Sequence, residues 1–106
     1  MPELPPPPDS YRAFAAAFPG LAAAWRDAQA AGEAGPLDAR TQRLVKLAIA
    51  CGSMRPGAVH SAVRKAVAAG LSAEEMRQVV ALAAGTLGFP AAVALYQWLR
   101  DEAPGA

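Results

Sequence analysis

Residues 71–88 read LSAEEMRQVVALAAGTLG, and this stretch decides the fold. Ser72 followed three residues later by Glu75 is a capping box. The Ser72 hydroxyl accepts from the Glu75 amide, and the Glu75 carboxylate accepts from the Ser72 amide. Met76, Val79, Val80, Ala83 and Leu87 then share a helical stripe, and Gly88 closes the helix.

Working outward toward the C-terminus, Pro90 suits the first turn of a further helix carrying Val93, Ala94, Trp98 and Leu99. Residues 103–106 are expected to be a frayed tail. From Val79 to Tyr96 no residue is charged, close to the length of a membrane span. Gly85, Thr86, Gly88 and Pro90 interrupt that run, so it is expected to form two buried helices joined at Gly88-Phe89-Pro90, not a membrane segment.

Toward the N-terminus, Pro56 opens a helix with the stripe Val59, Ala62, Val63, Ala66 and Val67, and Gly70 ends it. Before it, Asp38 caps a helix in which Leu44, Leu47, Ala48 and Cys51 share one face, widened by Val45 and Ile49. Gly52-Ser53 breaks that helix. Pro19 starts an earlier one with Leu21, Ala22 and Trp25, ended by Gly32 and Gly35-Pro36. Asp9 or Ser10 caps a first short helix through Tyr11, Phe14 and Phe18. Met1–Pro8 contains five prolines and is expected to be an extended arm. The expected architecture is therefore all-α, of five to six helices: an arm over residues 1–9 and one helical domain over 10–102.

Composition agrees. Of 106 residues, 54% are hydrophobic, much of it alanine, which forms helices well but buries little area. A thin core of this kind favours self-association. Ten Lys+Arg balance nine Asp+Glu with no basic stripe, which argues against nucleic acid as a partner. The lone Cys51 excludes an intramolecular disulfide and a multi-thiolate zinc site, and fits a reducing compartment. With no signal sequence in the proline-rich start, a cytoplasmic location is expected. No metal and no cofactor are called for.

Three residues are candidates for chemistry. His60, the only histidine, sits at the edge of its helix's apolar stripe and suits proton transfer near neutrality. Its bland alternative is a boundary histidine bonded to a neighbouring carbonyl. Arg55, beside Pro56, is a candidate to hold a substrate carboxylate, although exposed arginines are common. Cys51 is a redox candidate only if exposed; on the apolar face of its helix, it reads as an inert packing residue. Arg40, Arg43 and Lys46 read as a solvated face. Trp25, Phe89, Tyr96 and Trp98 read as core or subunit contacts.

The segment Leu37-Asp38-Ala39-Arg40-Thr41 followed by Leu44–Ala50, with Gly57-Ala58-Val59-His60-Ser61, Leu71–Met76 and Gly88-Phe89-Pro90-Ala91-Ala92, resembles the carboxymuconolactone decarboxylase-like family, which includes the alkylhydroperoxidase D group. The resemblance runs from Phe18 to Trp98. It implies an all-α fold and assembly as homotrimers or homohexamers. The family's redox branch carries Cys-x-x-Cys-x-x-x-His and an upstream relay glutamate. Matching its histidine to His60 puts Ser53 and Pro56 at the two cysteine positions and Arg43 near the glutamate position, so dithiol peroxidase chemistry is not expected. The resemblance leaves three readings: an enzyme or binder of a small carboxylate or lactone, of lyase type, using His60 and Arg55; a non-catalytic oligomeric module; or a peroxide-reducing protein using Cys51 alone.

Overall fold

The computed structural model describes residues 9–106, and the proline-rich arm expected over residues 1–9 lies outside them except for Asp9. The described residues form six helices and no strand: α1 (Asp9–Ala17), α2 (Pro19–Glu33), α3 (Ala39–Ser53), α4 (Pro56–Ala68), α5 (Ala73–Leu87) and α6 (Phe89–Glu102). The punctuation follows local chemistry. Pro19, Pro56 and Pro90 lie in first turns, where a missing N–H costs nothing. Asp38 caps α3 by accepting from the Thr41 amide at 2.7 Å. Both bonds of the Ser72–Glu75 box form, at 3.1 and 2.9 Å. Gly70 and Gly88 take φ of 85° and 97°, which side chains with a Cβ avoid. Gly32 does not end α2, which continues to Glu33.

The chain divides into two compact units at Leu37/Asp38. In the first, α1 packs on α2, with Tyr11 and Trp25 rings 5.6 Å apart and Phe14 and Phe18 rings 5.1 Å apart. Ala22 is its buried residue.

In the second unit, α3 packs on α4 and α5, and α6 packs on the same two helices, closing a four-helix arrangement. Leu47, Cys51, Val59, Val63, Ala66, Leu71, Met76, Val80, Leu95 and Leu99 form its core. Full burial of a leucine such as Leu95 contributes about 2 kcal/mol. Arg40 in the first turn of α3 bonds Glu75 in the first turn of α5, and at the other end Cys51 and Gly52 face Thr86 and Leu87. The two helices therefore run in the same direction. Arg40, expected as a solvated residue, also donates to the Gly70 carbonyl at 3.4 Å.

Three expectations are corrected. The helices of the uncharged run are buried on one face only: Val80 and Leu95 lie in the core, while Leu82, Phe89 and Val93 are 67%, 76% and 56% exposed. The faces of α3 and α6 are narrower than expected. On α6 the core stripe is Ala92, Leu95 and Leu99, and on α3 Ile49 is 68% exposed, because a helix in a four-helix unit buries only about 100° of its circumference. Finally, residues 103–106 fold back: Ala106 is buried, and its carbonyl accepts from the Tyr96 hydroxyl at 3.2 Å. No helix of the described residues is long and apolar enough to cross a membrane.

Candidate functional site

His60 sits near the start of α4 with its side chain 26% exposed, at the core edge its spacing implied. Its Nδ1 donates to Glu102 Oε1 at 3.0 Å, and Nε2 lies 3.7 Å from Asp101 Oδ2. Arg64, one turn after His60, donates through Nη1 to the same Glu102 oxygen at 2.9 Å. The last two residues of α6 thus face both imidazole nitrogens. The hydrogen bond from His60 holds the Glu102 carboxyl below its usual range; partial burial opposes this, and the charge and bond of Arg64 add to it. Arg55 stands just before α4 with its side chain exposed, its amide donating to Ser53 Oγ at 3.2 Å. The guanidinium that meets His60's partner is that of Arg64.

Cys51 lies elsewhere, on the core side of α3 at 2% exposure. Burial pushes its thiol upward, away from the reactive thiolate. It lines a cavity of about 260 Å³ between α3 and α5, together with Ala48, Gly52, Val79, Leu82, Ala83, Thr86 and Leu87. His60 is not among these lining residues. The cavity wall is apolar apart from the Thr86 hydroxyl and the thiol, and no cationic side chain lines it to hold a carboxylate. No cluster of three potential metal ligands occurs among the described residues.

A family model described as the carboxymuconolactone decarboxylase family matches residues 16–101. The chain belongs to that family. Comparison with curated proteins and with solved structures gives no match. The two residues that the resemblance implies for the redox branch's cysteine positions in the carboxymuconolactone decarboxylase family, Ser53 and Pro56, have local structural roles. Ser53 Oγ donates to the Ala50 carbonyl at 2.6 Å at the end of α3, and Pro56 begins α4. The carboxylate beside His60 comes from Glu102, not from α3. Sequence reasoning missed Glu102, Asp101 and Arg64. Only Arg64, four residues after His60, carried a spacing signal; Glu102 is 42 residues away.

Proposed function

We propose that this carboxymuconolactone decarboxylase family member is a self-associating, non-catalytic helical module in which His60 links α4 to α6. The observation that carries the reading is that carboxylates face both ring nitrogens of His60. A site for a dicarboxylic lactone needs a free acid–base group and cations. Here the imidazole's neighbours are anionic, and Arg64 is engaged by Glu102. Ser53 and Pro56 supply no thiol, and Cys51 is buried. Self-association is supported by the thin alanine-rich core and by large apolar side chains left on the surface; the trimers or hexamers of the family are the assemblies to expect. A free, buried thiol suits a reducing, cytoplasmic setting.

One observation favours a second reading. The 3.0 Å bond from Glu102 orients the imidazole as a relay carboxylate would, which suits acid–base work at Nε2 on a small carboxylate or lactone, with Arg55 as the anion anchor. The two readings separate in one experiment: wild type and His60→Ala are incubated with a panel of small dicarboxylic lactones, with helicity monitored. The module reading predicts no turnover by either and retained helicity. Turnover by wild type that vanishes in His60→Ala establishes the second reading and overturns the first.

A further inference from the structure

The cavity between α3 and α5 is walled by one stripe from each helix. Ala48, Cys51 and Gly52 recur at i, i+3 and i+4 on α3, and Val79, Ala83 and Thr86 recur at i, i+4 and i+7 on α5. Cys51, 2% exposed, lies at its buried side, and Leu82 and Leu87, 67% and 37% exposed, stand at its rim. The hollow exists because the seam carries small residues: leucine or valine at positions 48, 52 and 83 would fill it. A Cβ added at Gly52 would meet nothing within 4 Å, and Gly52 does not take the left-handed φ that calls for glycine. Its missing side chain therefore contributes space and answers no demand of the backbone.

The chemistry of the wall selects the ligand. No charged side chain lines it, so an ion entering would lose hydration and gain no counter-charge. A helical threonine commonly returns its hydroxyl to a carbonyl one turn back. The Thr86 hydroxyl makes no hydrogen bond to another described residue, so it is available to a ligand. An apolar cavity of about 150 Å³ holds a benzene-sized molecule. This one, at about 260 Å³, has room for one ring with a substituent or two.

We infer that this cavity binds a small, uncharged, single-ring molecule that carries one hydroxyl. Its ring lies against Val79, Ala83 and Cys51, and its hydroxyl meets that of Thr86. The site is separate from the His60 cluster, since His60 does not line it, and it goes beyond the reading of the chain as a module.

The test is a methyl NMR titration of the full chain with p-cresol, toluene and benzoate. The expected result is that p-cresol and toluene shift the methyl signals of Val79, Leu82 and Leu87. Those of Val63, a core residue outside the cavity, should stay in place, and benzoate at the same concentration should shift none of them. Ala83→Leu, with circular dichroism to check folding, fills the hollow and should abolish both sets of shifts. Thr86→Val keeps the shape and removes the hydroxyl. It should leave toluene binding unchanged and weaken p-cresol about five-fold, the effect of one hydrogen bond. No shift at Val79, Leu82 and Leu87 with millimolar p-cresol or toluene would overturn the inference. So would shifts that persist in a folded Ala83→Leu, or benzoate bound as tightly as toluene. Should Ala83→Leu unfold, Thr86→Val decides alone, and p-cresol affinity equal to that of wild type overturns the inference.

Discussion

The Glu102 carboxylate lies 3.0 Å from His60 Nδ1, so the final residue of α6 is fastened to the start of α4. This contact makes the unit sensitive to acid. His60, first, and Arg64 hold the Glu102 carboxyl below its ordinary value in the folded chain. A depressed carboxyl adds stability that is present above its unfolded value, near pH 4.3, and is lost as pH falls through the folded value. With His60 and Arg64 bonded to it, Glu102 is expected to make the melting temperature drop as pH falls below about 5. Glu102→Gln should melt lower at neutral pH and show a shallower drop. Melting curves over a pH series check this, and identical slopes in the two proteins would refute it.

The capping box is the second test. Ser72→Ala removes the acceptor of the Glu75 amide and should destabilise the chain by about 1 kcal/mol. Chemical denaturation measures it. A shift no larger than that of Ala substitution at the exposed Gln78 on the same helix would mean that the box contributes nothing.

Cys51 should resist modification. Its thiol is buried and pushed upward, so alkylation in the folded chain should be far slower than in denaturant, and peroxide should leave its mass unchanged. Rapid oxidation in the native chain would revive the single-thiol peroxide reading.

Most of the helix boundaries were legible because local groups set them: Asp38, Ser72 and Glu75 accept from amides three residues away, and Pro56, Gly70 and Gly88 act within a turn. Cys51 and Leu47 were legible as core for the same reason, through helical spacing. Which of two adjacent apolar stripes faces inward was not. Ile49 and Val93 belong to stripes as apolar as those of Leu47 and Leu95, and only the packing of α3 and α6 against their neighbours separates them. The His60 environment was legible as a boundary and no further. Its partners lie at the far end of the chain, and no spacing rule links residue 60 to residue 102.

The central claim is that this chain works as an assembly and not through chemistry at His60. Sedimentation equilibrium of the wild-type chain over a range of concentrations tests its first half most directly. The account predicts a mass of at least two chains of 10.9 kDa, held on dilution. A single species of 10.9 kDa at all concentrations would contradict it.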